Sequence, residues 1–458
     1  MRYPYFILFI GLLSPLGISP TLAQPVNPLA DYVQQGLQND RQLKQQQFQL
    51  QKALLALEEA KTAFRPTIQF NATYSTAAGG RQIYFPVGQL LNPIYTSLNQ
   101  ITQSDKFPQV ADYRENFYPA NFYDTRLHTV MPLINAELTI QKRMQGEQLN
   151  SIRAEQTLYK RELTRSIRTA YFQYLKATEI IAVYQNGLQL LIDTERLNKS
   201  LVQNGKANPT GQLRIQNEVA STRLRVDEAR MVQQQAALQF NHLLNRAPAE
   251  AIVFDSTFRQ LRPLPVTEAS SYPELSQLKS LLSVQRYQLQ LAKASGKPKI
   301  GVSLDVGSQG NVSTLAGKES NALFPNGFFL LGVSLDLPVY TAGRRQLRMA
   351  QHQTDIDATQ LRIEQATHTL ATQTQQAELA YQAALNRYEQ QKSQNTWVER
   401  YYRDVQKQYH EGVAGYAELL DAQNQVLKQR IEQTLRLYDA WIEWANLERT
   451  KAPEETIN

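Results

Sequence analysis

Few side chains in this sequence are spaced for chemistry. The five histidines, His128, His242, His352, His368 and His410, are scattered without metal-ligand spacing, and cysteine is absent, which removes thiolate sites and disulfides. There is no nucleophile motif and no phosphate-cradling glycine loop, so no enzyme, cofactor site or metal site is expected. Glu418 and Asp421 stand apart from this background. They lie three residues apart and so share one face of a helix. At a helix start, a carboxylate pair answers the positive end of the helix dipole or gathers negative field toward solvent.

The element that positions this pair follows a break. In "QYHEGVAGYAELLDAQNQVLKQR", residues 408–430, Gly412 and Gly415 interrupt a long helical pattern, and "VQNGKANPTGQLRIQNEVASTR", residues 202–223, repeats the device. Setting Gly205 on Gly412 brings Ala207 onto Ala414, Leu213 onto Leu420, Gln216-Asn217 onto Gln423-Asn424, Val219 onto Val426 and Arg223 onto Arg430. Before the second break, apolar residues recur every seventh position through Met349, Ile356, Ile363, Leu370, Ala377 and Ala384, and resume at Val398 and Val405. A second stripe carries Tyr381, Tyr388, Asn395, Tyr402 and Tyr409. The first half repeats the seam with Leu149, Leu163, Ala170, Ala177, Tyr184 and Leu191. A period of 3.5 predicts two side-by-side helices, 137–203 and 344–411, each about 100 Å long at 1.5 Å per residue. Shorter return helices are expected at 210–245 and 416–449, completed by helical stretches at 30–64 and 273–296. The proline-rich segment 246–272 links the two repeats.

Each long helix is preceded by two alternating segments, expected as strands at 66–76, 122–133, 298–307 and 328–339. "PTIQFNATY" sets Ile68, Phe70, Ala72 and Tyr74 against Thr67, Gln69, Asn71 and Thr73, and "KIGVSLDVG" and "FFLLGVSLDLPVY" alternate likewise. The segment around Arg126 and His128 is the weakest of the four. This pattern suits a soluble sandwich or a membrane β-barrel. The spacing favours the barrel: 73 residues separate Pro132 from Gly205, and 74 separate Pro338 from Gly412, so strand pair, rod and turn recur in fixed register. Four strands cannot close a barrel and open edges are not tolerated in lipid, so several chains must share one.

Composition agrees. The 458 residues are 19% charged, with a mean hydropathy of −0.45, which excludes long membrane helices. Residues 1–23, "MRYPYFILFIGLLSPLGISPTLA", have the layout of a secretory signal, so residues 24–245 and 273–450 form the two repeats and 451–458 a tail. The formal charge of +7 is spread along mixed-charge helices, so nucleic acid is not an expected partner. A secreted coiled-coil structural or adhesive protein with a soluble β head is the alternative from another class.

The duplicated plan, with "LDLPVYTAGRR" between strand and helix and "GYAELLDAQNQVL" after the second turn, resembles the TolC family of outer-membrane efflux proteins over almost the whole mature chain. The resemblance implies an α+β membrane protein in the outer membrane of a Gram-negative bacterium. Its homotrimer would give four strands per protomer to a shared transmembrane β-barrel, embedded in outer-membrane lipid. A long antiparallel α-helical barrel would continue it through the periplasm. It further implies a passive exit duct for tripartite efflux or type I secretion, without catalysis or cofactor. A periplasmic adaptor and an inner-membrane pump would open it at the helical tip. On this resemblance Gly205, Gly412 and Gly415 form the tip turns, Glu418 and Asp421 form carboxylate rings at the periplasmic entrance, and Tyr409 helps hold the closed state. Packing in the seam alone also explains Tyr409. Ala414 departs from relatives that carry a gate-locking arginine there. By topology the loops 77–121 and 309–327 face the exterior, and the longer one reads as an ordered cap or a variable surface loop.

Overall fold

The computed structural model describes residues 28–117, 121–205, 208–261, 272–311 and 326–451. The expected signal segment 1–23, Ala207, residues 262–271 of the linker, most of the loop 309–327 and nearly all of the tail lie outside the described residues. The chain divides into two compact units. One comprises Gln45–Thr157 and Ser271–Thr369, and the other the described parts of Met1–Lys44, Leu158–Ser270 and Leu370–Asn458.

The first unit carries an antiparallel sheet. Its strands are β1 (Thr67–Ser75), β4 (Phe122–Ile134), β5 (Lys299–Asn311) and β6 (Gly327–Asp336), in the order β1-β4-β5-β6. The register aligns apolar residues in rows across the sheet. Phe70 pairs with Leu127, Leu127 with Val306 and Val306 with Phe329, while Thr129 pairs with Leu304 and Leu304 with Leu331. This face is bare: Phe70 is 69% exposed, Phe329 78% and Val333 72%. The opposite face is mainly polar, with Val130, Phe328 and Leu330 as apolar exceptions. Arg126 pairs with Asp124 on it, and His128 Nδ1 lies 2.7 Å from Asp305 Oδ1. β4, the segment with the least regular alternation, is thus a central strand hydrogen-bonded on both sides, and its charged residues find partners on the polar face. Gly307 permits the close approach of β5 to β4, since a Cβ there would stand 2.3 Å from the Thr125 carbonyl oxygen.

Residues between β1 and β4 fold into a small module of β2 (Gln82–Phe85), α3 (Val87–Thr102) and β3 (Tyr113–Asn116), with β2 and β3 paired. Here Asn92 uses its amide like a strand partner, donating to the Val110 carbonyl (2.9 Å) and accepting the Val110 N–H (2.8 Å). Asn99 repeats the device on Phe107, at 2.8 and 3.1 Å. Two asparagines seven residues apart thereby fasten the extended segment 107–110 to one side of α3.

The helices are α1 (Pro28–Asn39), α2 (Arg41–Thr62), α4 (Ala136–Gln203), α5 (Pro209–Leu243), α6 (Pro273–Ala294), α7 (Arg344–His410) and α8 (Tyr416–Lys451). The two longest contain 68 and 67 residues, about 100 Å each. Among the described residues no helix is long and apolar enough to cross a membrane. The core of the second unit is aromatic. Tyr171, Phe172 and Phe240 are fully buried beside Trp441 and Tyr438, and Phe172 stacks on Trp441 with centroids 5.7 Å apart. The linker is bound to this core through its backbone: Tyr171 donates to the Val253 carbonyl (2.9 Å), Trp441 Nε1 to that of Phe258 (3.0 Å) and the Val253 N–H to the Tyr32 hydroxyl (2.9 Å). These bonds satisfy polar groups that would otherwise be buried unpaired.

Candidate functional site

The two reversals lie in the second unit, and both begin with a glycine in the left-handed region, Gly205 at φ +73° and Gly412 at φ +77°. At the second reversal the Gly412 N–H donates to the Tyr409 carbonyl (3.1 Å) and the Val413 N–H to that of Gln408 (2.8 Å). This is a Schellman motif, which occupies the last carbonyls of α7 and favours glycine because a Cβ is strained at positive φ. At the first reversal the matching bond runs from the Gly205 N–H to the Val202 carbonyl, 3.0 Å. The helices that leave the turns start differently. Asn208 caps α5, accepting the Thr210 N–H at 3.0 Å, with Pro209 in the first turn. Before α8, the Gly415 carbonyl accepts the N–H groups of Glu418 (3.1 Å) and Leu419 (3.2 Å). Gly415 is not at positive φ, and a Cβ there would meet no atom within 4 Å, so its local geometry does not demand glycine.

Glu418 and Asp421 emerge on the exposed face of the first turns of α8, with Leu419, Leu420, Ala422 and Gln423 buried on the other. Gln425 Nε2 donates to Asp421 Oδ2 at 2.8 Å. In the first repeat the corresponding residues are Gly211 and Arg214, so only the second reversal carries the carboxylate pair. Among the described residues no cluster of three or more His, Cys, Asp or Glu is placed to hold a metal ion.

Tyr409 faces inward. It is 9% exposed and packs with Val405, Ala414, Leu419 and Ala422. Ala414, where some relatives of the resembled family carry arginine, is thus a small apolar residue in a packed cluster. The Tyr409 hydroxyl reaches Asn198 Oδ1 at 3.5 Å, and Asn198 Nδ2 donates to Gln212 Oε1 at 3.0 Å. Asn198 is only 1% exposed, so this bridge links α7, α4 and α5 through a buried amide. Nearby, Gln423 Nε2 donates to Thr194 Oγ1 at 2.8 Å, tying α8 to α4. Burial pushes the Tyr409 hydroxyl pKa up, and burial followed by the neighbouring Tyr409 does the same for Tyr416, which holds both phenols neutral. Sequence reasoning missed Asn198, although the signal was present: it is the next heptad step after Tyr184 and Leu191, a polar residue on an apolar seam. Asn395 behaves alike, donating to Gln433 Oε1 at 2.9 Å.

Apolar residues also mark faces that the described residues leave exposed. Leu213, Leu224, Met231 and Leu238 are 69, 61, 55 and 51% exposed, and their spacing of eleven, seven and seven residues puts them on one side of α5.

Comparison with known proteins agrees with this geometry. Residues 264–450 match the family model for outer membrane efflux proteins. No curated protein sequence matches the chain significantly. Solved structures share its fold at low identity. The open-state MtrE outer-membrane channel of Neisseria gonorrhoeae is similar at 16% identity and a TM-score of 0.74, over 92% of this chain and 88% of that one. The outer-membrane protein VceC of Vibrio cholerae is similar at 15% and 0.69, over 92% and 95%, and the CmeC channel of Campylobacter jejuni at 14% and 0.71, over 93% and 85%. The family match and the shared fold bear out the resemblance to the TolC family. They also bear out its outer-membrane location and its fold of long helices with a four-stranded antiparallel sheet.

Proposed function

We propose that this chain is one protomer of a homotrimeric exit duct in the outer membrane, serving tripartite efflux or type I secretion. The supporting observation is a four-stranded antiparallel sheet with a bare apolar face and two edge strands, followed in sequence by helices of 68 and 67 residues. Strand directions alternate across β1-β4-β5-β6, so β6 of one copy can pair antiparallel with β1 of the next. Two copies would give eight strands, a barrel whose interior side chains fill. Three copies give twelve and leave a lumen, and the exposed stripe on α5 supplies an apolar face for a neighbouring copy to cover. The reversals at Gly205 and Gly412 form the periplasmic tip. There Glu418 and Asp421 of three protomers make carboxylate rings that attract cations, and the Tyr409, Asn198 and Gln212 bridge holds the helices closed until a periplasmic adaptor and an inner-membrane pump dock.

The test is light scattering of the purified protein in detergent together with planar-bilayer recording. Three chains per particle and discrete conductance steps are expected. A water-soluble particle without conductance would contradict the reading.

A further inference from the structure

The module between β1 and β4 carries a feature that the duct does not use. Helix α3, "VGQLLNPIYTSLNQIT", contains no charged residue. Its polar side, through Asn92 and Asn99, is occupied by the chain's own segment 107–110. At about 100° per residue the opposite side presents Val87, Leu90, Ile94, Ser97 and Ile101. Leu90 is 68% exposed, Ile94 55% and Ile101 78%. Steps of three and four residues make these a heptad seam, with β-branched Val87, Ile94 and Ile101 alternating with Leu90 and Ser97.

Given the trimeric duct proposed above, on which this inference rests, we infer that the three α3 helices pack along this seam into a short parallel bundle at the outer mouth of the channel. The occupant of the bare stripe is therefore a second copy of this chain. The module follows edge strand β1 directly in sequence, at the boundary that would face the next copy, and threefold symmetry gives the three helices the same sense along the channel axis. A helix resting on lipid would be expected to carry lysine or arginine on its polar face, and α3 has neither. The exposed parts of Leu90, Ile94 and Ile101 offer roughly 350 Å² per copy, below the roughly 800 Å² per partner of a freestanding interface. The bundle thus forms because the barrel holds the copies together at high effective concentration.

Cross-linking in the full-length protein, which lacks cysteine, tests this. Ser97→Cys sits on the seam and Gln100→Cys beside it. On oxidation of the detergent-purified particle, Ser97→Cys should form disulfide-linked dimers containing up to about two-thirds of the chains, one pair per ring of three. Gln100→Cys should stay at background. Equal cross-linking of both variants, or none in a particle whose mass is that of a trimer, overturns the bundle and leaves the duct standing. A monomeric particle overturns both. Quenching of a bimane on Ser97→Cys by spin-labelled lipid, in an intact and uncross-linked trimer, makes the outer leaflet the occupant and also overturns the bundle.

Discussion

Replacing the two glycines of the second reversal one at a time separates backbone strain from packing. A Cβ at Gly412 or at Gly415 meets nothing within 4 Å, so neither substitution causes a clash. Gly412 alone is at positive φ, +77°. Alanine there costs about 1–2 kcal/mol of left-handed strain. That strain weakens the turn closed by the Gly412 to Tyr409 and Val413 to Gln408 bonds. Gly412→Ala should therefore speed amide exchange in a peptide spanning Val413 by roughly 5–30-fold, measured by hydrogen exchange and mass spectrometry on the intact particle. Gly415→Ala should leave exchange unchanged or slow it, because alanine at a compatible backbone stabilises by about 0.4–1 kcal/mol. Gly205→Ala, at φ +73°, should behave like Gly412→Ala in the first turn. Equal acceleration by Gly415→Ala, or none by Gly412→Ala, would refute the assignment of the turn to backbone geometry.

Asn198→Ala should shorten closed dwell times in single-channel records, because it removes the donor to the Gln212 side-chain oxygen and the buried amide that joins the three helices, at a cost of roughly 1–3 kcal/mol. Tyr409→Phe should do much less, since its hydroxyl contact is 3.5 Å, the outer limit of a hydrogen bond. Thermal stability should fall as pH rises from 10 toward 12. The Tyr159 hydroxyl is pushed up to about 12 by burial and by its bond to Asp40, and burial also raises Tyr171 and Tyr438. The folded protein retains protons that the unfolded chain loses near pH 10, so the stabilisation is complete below that pH and fades through the folded pKa values. Tyr159→Phe should flatten part of this decline in a thermal melt followed by circular dichroism, and an unchanged slope would count against it.

The sequence carried the architecture because its elements are long and periodic. Two heptad seams ending in glycine, and three segments alternating with period two, each repeat a local rule often enough to be read without tertiary context. β4 was harder, because Arg126 and His128 make sense only beside Asp124 and Asp305 in the folded sheet. The module at residues 82–117 was also hidden, since α3 is uncharged and is held by Asn92 and Asn99 bonding to backbone, which composition does not signal. At the two reversals, Gly412 and Gly205 were legible from turn chemistry, whereas Gly415 sits in a conformation open to other residues. Asn198 needed the fold, because a polar step on a seam becomes meaningful only once its partners Tyr409 and Gln212 are known.

The most direct measurement is the single-channel conductance and reversal potential of the purified particle in a planar bilayer under a salt gradient, comparing the wild type with Glu418→Gln plus Asp421→Asn. The expected result is a small, cation-preferring conductance that loses its selectivity in the variant. A conductance with the same ion preference in both proteins would contradict an entrance governed by these carboxylates, and no conductance from a water-soluble wild type would contradict the duct itself.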